Sequence, residues 1–274
     1  MTVVEVDVSG LIDYEGRVAV VTGCASGMGR ETARLLREAG ATVIGLDRVQ
    51  PEVKLDKFTE LDLSDEGSIT DAAAQIENVD ALFNVAGISS GAGDPVTVVT
   101  VNFLGPRLLT ETLLPRMKEG SAVAGVASLS GFRYRENVES NTQLVDTPGF
   151  SAGVDWCRLH PDLLSGGGYQ ISKEAVILYT QRQAIAYGLE GIRFNCIGPG
   201  ATETPFLRDT IAGRGIEAIN KIPKPLGRLA QPSEMASALL FLNSDAASYV
   251  SAHLLWVDGG FSGGVAVGAV KSDR

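Results

Sequence analysis

The chain of 274 residues is poor in the side chains that build metal centres and disulfide frameworks. Its three cysteines, Cys24, Cys157 and Cys196, are far apart, and its two histidines are His160 and His253. An odd number of cysteines without C-x-x-C spacing predicts no disulfide framework. Two histidines argue against a zinc site. The cysteine usage favours a reducing compartment, and we expect a cytoplasmic protein that holds no metal ion.

Long apolar runs and an excess of positive charge are also missing. No stretch approaches the roughly 20 apolar residues that span a bilayer, and the acidic residues 1–7 do not resemble a secretory signal. The 23 Lys and Arg against 33 Asp and Glu give a net charge of −10, which disfavours nucleic-acid binding. We therefore expect neither a membrane nor a nucleic acid as partner, and 45% hydrophobic residues suffice for a packed core.

What the chain does have is a regular alternation of strand and helix patterns. Apolar, β-branched runs predict strands at 17–22, 41–47, 58–62, 79–84, 122–128, 192–197 and 253–257. Helical patterns lie between them at 29–39, 68–77, 99–118, 169–187 and 233–243. Such alternation implies right-handed βαβ units. It predicts one α/β domain over residues 1–274, a doubly wound parallel sheet of about seven strands of the Rossmann type.

Two segments depart from this alternation. Residues 131–168 read as a long irregular insertion, and such loops inside a domain are usually functional or mobile. Residues 262–274, rich in Gly, Ala and Val, read as a loosely held tail.

A glycine-rich turn, TGCASGMG at 22–29, separates the first predicted strand from the first helix. Glycine allows positive φ and lets a pyrophosphate approach the backbone, while the helix N-terminus attracts the anion. Asp47 ends the second strand 18 residues after Gly29, where a carboxylate can accept both ribose hydroxyls and repel a 2′-phosphate. Arg48 is adjacent, so some NADP use stays open, but the pattern favours NAD. No Gly-Lys-Ser/Thr follows, which excludes a Walker loop.

Polar and glycine motifs lie at the ends of the other predicted strands. In order along the chain they are N-x-A-G at 84–87, Asn102, a strand-terminal Ser128, Y-x-x-x-K at 169–173 and P-G-x-x-x-T at 199–204. Tyr169 and Lys173 lie one helical turn apart, so the phenol and the ammonium face the same volume.

From about residue 14 to 261, this ordered set resembles the short-chain dehydrogenase/reductase family. The resemblance implies a catalytic tetrad of Asn102, Ser128, Tyr169 and Lys173. It also implies cofactor contacts from Gly23, Ser26, Gly27, Met28, Gly29, Asp47, Arg48, Asp62, Leu63, Asn84, Ala86, Gly87, Tyr169, Lys173, Pro199, Gly200, Thr202 and Thr204. Asp62 would hold the adenine, and Thr202 and Thr204 would lie beside the nicotinamide carboxamide.

The chemistry of this tetrad can be stated in physical terms. Tyrosine has an ordinary pKa near 10, and lowering it by about three units takes roughly 4 kcal/mol, which a neighbouring ammonium and a cationic nicotinamide can supply. Lys173 would activate Tyr169 and bond the nicotinamide ribose. Ser128 would orient the substrate oxygen, and Asn102 would hold a water that links Lys173 to solvent. Ser130 is an alternative to Ser128, although a hydroxyl that caps the turn explains Ser130 as well.

The insertion implies a subgroup and a substrate class. It resembles that of the hydroxysteroid dehydrogenase/carbonyl reductases, and aryl-alcohol dehydrogenases share some of the features, so we expect a bulky apolar alcohol or ketone. The aromatic residues Phe132, Tyr134, Phe150 and Trp156 could line its entrance or pack a subunit contact. The insertion would shield the surface used by the usual family tetramer, which favours a homodimer. Residues 207–222, next to Phe206, would form a mobile substrate flap.

Two alternatives from other classes remain at this point. The pattern G-x-S-x-G at 260–264 suggests a hydrolase, but no histidine follows Ser262 to complete a triad. A sensor or scaffold that binds a nicotinamide cofactor and has lost catalysis would keep the glycine-rich turn without needing the tetrad.

Overall fold

A computed structural model describes residues 12–208 and 222–271, and its centre is a seven-stranded sheet in which every pairing is parallel. The strands are β1 (Val18–Thr22), β2 (Thr42–Asp47), β3 (Lys57–Glu60), β4 (Ala81–Asn84), β5 (Ala122–Val126), β6 (Arg193–Pro199) and β7 (His253–Val257). Their order is β3-β2-β1-β4-β5-β6-β7. The predicted doubly wound sheet and its seven strands are confirmed.

Nine α-helices whose full bounds are described connect or flank these strands, and residues 205–208 are also helical. They are α1 (Gly27–Glu38), α2 (Glu66–Ala74), α3 (Pro95–Val99), α4 (Gly105–Leu113), α5 (Val138–Val145), α6 (Phe150–Leu159), α7 (Tyr169–Ala186), α8 (Pro232–Asn243) and α9 (Phe261–Ala266). The predicted helix at 99–118 is in fact α3, a π-helical turn at Thr100–Leu104, and α4. Gly40, at φ +87°, follows the end of α1 as predicted.

The sheet is covered by helices on both faces, and the strand sequences show why. In β1, Ala19 and Val21 pack in the cluster that contains residues of α1 and α8, whereas Val20 packs with residues of α2 and α4. Alternate side chains of a strand point to opposite faces, so a strand buried on both sides must be apolar throughout. The π-helical turn at Thr100–Leu104 and α7 meet the insertion in a third cluster.

The order of the strands creates a switch point between β1 and β4. The chain runs outward from β1 to β3 and then returns to β4 on the other side of β1. The loops after β1 and β4 therefore diverge at the carboxyl edge of the sheet, which is where such folds bind ligands.

The insertion is more regular than we predicted from its sequence. Residues 131–168 contain two helices, α5 and α6, which pack on α7 and on the π-helical turn. Asn141, Leu144 and Val145 recur at helical spacing and are buried, a signal hidden by the surrounding Gly and Pro.

The residues after 260 also differ from the prediction. The segment expected to be a loose tail begins with α9, whose first residue, Phe261, is buried. The Ser262 amide donates to the Asp258 carboxylate at 2.8 Å, so this serine belongs to the start of a helix. Over the part of the chain that the structure describes, no helix has the length and apolarity needed to cross a membrane.

Candidate active site

A cleft of about 520 Å³ lies at the carboxyl edge of the sheet, over the switch point. That volume lies in the usual range for small-molecule sites. Every predicted site residue except Asn84 and Asn102 lines it. The fold thus brings together motifs that are separated by up to about 180 residues in the sequence.

The glycine-rich turn forms one wall of the cleft because side chains would not fit there. A Cβ at Gly23, where φ is +74°, would lie 2.9 Å from the Ala86 Cα, and a Cβ at Gly29 would lie 2.1 Å from the Gly23 carbonyl oxygen. The turn can therefore press against the loop after β4 and expose its backbone to the cleft. The first turn of α1 carries no acidic residue, and Ser26 makes no side-chain cap. These features fit the pyrophosphate of a dinucleotide.

Thr22, the first residue of the turn motif, completes this wall, although it was not among the predicted site residues. Its Oγ1 accepts hydrogen bonds from the Val85 and Ala86 amides at 2.9 and 3.0 Å. It donates to the Phe83 carbonyl at 3.4 Å. Its signal in the sequence was its position at the end of a buried strand and at the start of the turn motif, and this position becomes informative once β4 is known to be the neighbour of β1.

Two carboxylates occupy the end of the cleft beside β2. Asp47 is held by the amides of Ala25, at 2.9 Å, and Val49, at 3.2 Å, one on each oxygen. Burial raises the pKa of Asp62, but the Ser64 hydroxyl and amide, at 2.6 and 2.8 Å, and the charge of Arg48 outweigh it. The pKa of Asp62 therefore lies below its usual range, and this end of the cleft carries negative charge.

Tyr169 and Lys173 lie on the first turns of α7, as their spacing predicts. Both line the cleft, and the Lys173 Nζ lies 5.7 Å from the centre of the Tyr169 ring. The Lys173 side chain is buried and donates to the Val126 carbonyl at 2.9 Å. Burial, which disfavours the charged form, lowers the pKa of Lys173 to about 8. The ammonium is thus placed where it can act on the phenol and exchange its own proton near neutral pH.

Asn102 lies behind this pair and does not line the cleft. It belongs to the π-helical turn between α3 and α4, a feature that is frequent at functional sites. Its Oδ1 accepts from the Ile88 amide at 2.8 Å, and its Nδ2 donates to the Ile88 carbonyl at 3.0 Å and to the Ser172 hydroxyl at 3.3 Å. Asn102 therefore clamps the loop after β4 to α7. The water that it was predicted to hold stays a prediction.

Ser128 and Ser130 both line the cleft, on either side of Leu129. Ser128 follows β5 in an extended conformation, and its Oγ accepts from the Ser130 amide at 3.1 Å. The residue that caps this turn is therefore Ser128, and the interpretation of Ser130 as the cap is wrong. Because both hydroxyls reach the cleft, the choice of Ser128 as the catalytic serine stays a prediction.

Asn84 was predicted to touch the cofactor, but it does not line the cleft. Its Nδ2 donates to the Thr110 Oγ1 of α4 at 2.8 Å. The backbone of the same motif, at Ala86 and Gly87, does line the cleft. A Cβ at Gly87 would lie 3.0 Å from the Asn102 Oδ1 and 3.4 Å from the Lys173 Nζ, so only glycine fits there without a shift.

The aromatic residues near the site also differ from the expectation. None of Phe132, Tyr134, Phe150 and Trp156 lines the cleft: Phe132, for example, contacts the rings of Trp256 and Phe261. Phe206, named only as a neighbour of the predicted flap, does line it, with its ring centre 5.7 Å from that of Tyr169. Most of the predicted flap lies outside the described residues. Within residues 12–208 and 222–271, no group of three His, Cys, Asp or Glu side chains could hold a metal ion.

Comparison with known proteins gives matches over nearly the whole chain. Residues 17–140 match the family described as short chain dehydrogenase, and residues 164–262 match the one described as enoyl-(acyl carrier protein) reductase. A coniferyl-alcohol dehydrogenase from a Pseudomonas species is 37% identical over 89% of this chain and 95% of its own. A 3-alpha-hydroxysteroid dehydrogenase/carbonyl reductase from Comamonas testosteroni is 35% identical over the same shares of the two chains.

A solved structure shows the same similarity in three dimensions. It is the 3-alpha-hydroxysteroid dehydrogenase from Pseudomonas sp. B-0831, complexed with NADH. It is 30% identical, with a TM-score of 0.77 over 93% of this chain and 100% of its own.

Proposed function

The chain belongs to the short-chain dehydrogenase/reductase family of oxidoreductases that use nicotinamide cofactors, and we propose that it interconverts a secondary alcohol and its ketone with NAD(H). The observation that carries the proposal is that Tyr169, Lys173 and Ser128 line the same cleft as the glycine-rich turn. The similar proteins are named as dehydrogenases, and the tetrad residues Tyr169, Lys173 and Ser128 share the cleft. The alternative of an inactive sensor or scaffold is therefore without support.

In the proposed reaction Tyr169 takes the hydroxyl proton of the alcohol and returns it in the reverse direction. When bound in the cleft, a nicotinamide cofactor would supply the hydride chemistry. The Lys173 ammonium favours the ionised phenol, because an opposite charge nearby stabilises the charged form. Ser128 donates a hydrogen bond to the substrate oxygen, where negative charge develops. Asn102 keeps the loop at Ile88 against α7, so that the floor of the site does not move.

Asp47 supports the choice of NAD over NADP. Its carboxylate lines the cleft after β2 and is oriented by two backbone amides. A 2′-phosphate at the adenosine ribose would meet this negative charge, while ribose hydroxyls could donate to it. Arg48 is exposed beside it and could offset part of the repulsion.

The part of the cleft around Tyr169 supports a neutral, apolar substrate. Its described lining consists of apolar and hydroxyl side chains, among them Ile88, Leu129, Phe206 and Leu207. In this lining Lys173 is the one charged side chain, and it already bonds the Val126 carbonyl. Such a surface favours a bulky alcohol and disfavours a carboxylate. The coniferyl-alcohol and hydroxysteroid dehydrogenases named above make aryl alcohols and hydroxysteroids the first substrates to test.

The insertion supports a homodimer. Leu144 and Cys157 of α5 and α6 are buried in the cluster that contains Phe103 and Leu178. The chain thus covers part of the surface of α7 and of the π-helical turn with its own residues, and that part is not available to another subunit.

The test is a panel of neutral secondary alcohols and ketones, followed through NADH absorbance with the wild type and Tyr169→Phe. We expect turnover by the wild type and a fall in kcat of about 10³-fold in the variant, within the range for a lost general acid–base. NADH affinity, measured by fluorescence titration, should change less than about threefold, since the phenyl ring still packs on Phe206. Full activity in Tyr169→Phe would show that Tyr169 is not the base. A wild type that binds NADH without turnover would favour the sensor.

A further inference from the structure

One buried charge in the molecule plays no part in the proposed reaction. Glu174 directly follows Lys173 on α7, and it is 1% exposed. Its carboxylate accepts four hydrogen bonds, two from Asn137 at 2.9 and 3.1 Å, one from Asn141 at 2.8 Å and one from Gln170 at 2.9 Å. Among the described residues, no Lys, Arg or His forms an ion pair with it.

All the donors are side-chain amides, and this suits an ionised carboxylate. An ionised Glu accepts hydrogen bonds and donates none, and bonds to a charged acceptor are the strong ones. A carboxylate removed from water without a cation needs such donors to stay charged. The hydrogen bonds therefore fix the position of the Glu174 carboxylate and, equally, the positions of the three side-chain amides.

The three donors come from two helices that pack against each other, α5 and α7. Asn137 and Asn141 belong to the start of α5, in the insertion, whereas Gln170 follows Tyr169 in the first turn of α7. Glu174 therefore connects the insertion to the turn that carries the phenol and to the turn that carries the ammonium. The insertion has no comparable carboxylate contact with the glycine-rich turn in the part of the chain described.

Both ends of the insertion touch the same helix. At its start, a Cβ at Gly131 would lie 3.3 Å from the Lys173 carbonyl. At its end, Gly168 adopts φ +72° directly before Tyr169, and a Cβ there would lie 2.4 Å from the Pro95 carbonyl oxygen. The backbone on either side of the first turns of α7 is thus tightly packed. The hydrogen bonds of the Glu174 cluster add a polar connection between the insertion and these turns.

We propose that Glu174 is a positioning residue for the reaction. Through Asn137, Asn141 and Gln170 it fixes the first two turns of α7 against α5, and so fixes the Tyr169 phenol relative to Ser128. The inference rests on the proposed function, because it concerns the same tetrad. Small misplacements of reacting groups are costly, since about 1 Å can lower a rate by about 10²-fold.

The first test is Glu174→Gln, which keeps the shape but replaces one acceptor oxygen with an N–H₂ group that faces two amide donors. We expect kcat to fall by about tenfold or more, with NADH affinity within about threefold, because no residue of the Glu174 cluster lines the cleft. In the protein without cofactor, the amides of residues 172–177 should exchange their hydrogens faster than in the wild type.

The matched control is Thr147→Val, which removes a different hydrogen bond of the same insertion. Thr147 lies in the turn between α5 and α6, and its Oγ1 accepts from the Arg107 Nη1 of α4 at 3.1 Å. This variant should lose stability but keep kcat within about twofold and leave the exchange of α7 unchanged. The double variant Glu174→Gln/Asn141→Asp returns a carboxylate to the cluster from the side of α5, and it should recover at least about threefold of the lost kcat.

Three outcomes would overturn the proposal. They are a folded Glu174→Gln with kcat within about twofold of the wild type, an equal loss of kcat in Thr147→Val, or no faster exchange at 172–177. A wild type that turns over no alcohol with either dinucleotide would refute the proposed function, and the exchange measurement would then still decide whether Glu174 ties α5 to α7.

Discussion

The buried Lys173 should cost the protein stability, and the cost should depend on pH. Lys173 is 4% exposed, and its pKa is lowered from 10.5 to about 8 by burial. A pKa that is lower by one in the folded protein makes the charged form about 1.4 kcal/mol less favourable there. Below pH 8 the folded protein carries a buried ammonium, whose penalty is fully present. The penalty fades as the pH rises from 8 toward 10.5, where the unfolded chain also loses the proton.

Lys173→Met removes this penalty while keeping an unbranched side chain. Relative to the unfolded chain, the ammonium costs about 3 kcal/mol at pH 7 and about 1 kcal/mol at pH 9.5. The variant also takes away the donor of the Val126 carbonyl, at 2.9 Å in the wild type, which costs about 1–3 kcal/mol at either pH. At a single pH, the difference in the free energy of unfolding between Lys173→Met and the wild type can therefore have either sign. The way in which this difference varies with pH is the decisive measurement.

The assay is urea unfolding of the protein without cofactor, at pH 7 and at pH 9.5. The free energy of unfolding of Lys173→Met, measured relative to the wild type, should fall by about 2 kcal/mol between the two pH values. Lys54→Met, a change at an exposed lysine, serves as the control for a lost surface charge. A difference for Lys173→Met that is the same at both pH values would show that burial does not lower the pKa of this lysine.

Three further predictions address the serine, the cofactor and the assembly. Ser128→Ala should lower kcat/KM by about 10²- to 10³-fold, and Ser130→Ala by less than about threefold, in the same NADH assay; equal losses would contradict the choice of Ser128. Asp47→Ser should raise the ratio of kcat/KM for NADP over that for NAD by about 10²-fold, because it removes the charge that faces a 2′-phosphate. An unchanged ratio would mean that Asp47 does not select the cofactor. Light scattering should give the mass of two chains, and a mass of four would refute the view that the insertion blocks the tetramer surface.

Much of the fold and half of the site follow from local patterns in the sequence. The strands were predictable because a sheet covered on both faces needs continuous apolar runs such as 18–22. The turn at 22–29 and the spacing of Tyr169 and Lys173 are also local, since a tight turn and one helical turn are set by neighbouring residues. Chain order then placed these motifs at one edge of a parallel sheet.

Contacts between distant segments decided the rest. A strand-terminal position did not show that Asn84 turns to Thr110 of α4, because that depends on which helix covers the face. Asn102 looked like a residue of the cleft, but the π-helical turn and its bonds to Ile88 place it behind Gly87. The insertion looked irregular, since its helices are short and are stabilised by packing on α7 more than by their own propensity. Glu174 was invisible in the sequence, because only the folded chain brings the side-chain amides of Asn137 and Asn141 to its carboxylate.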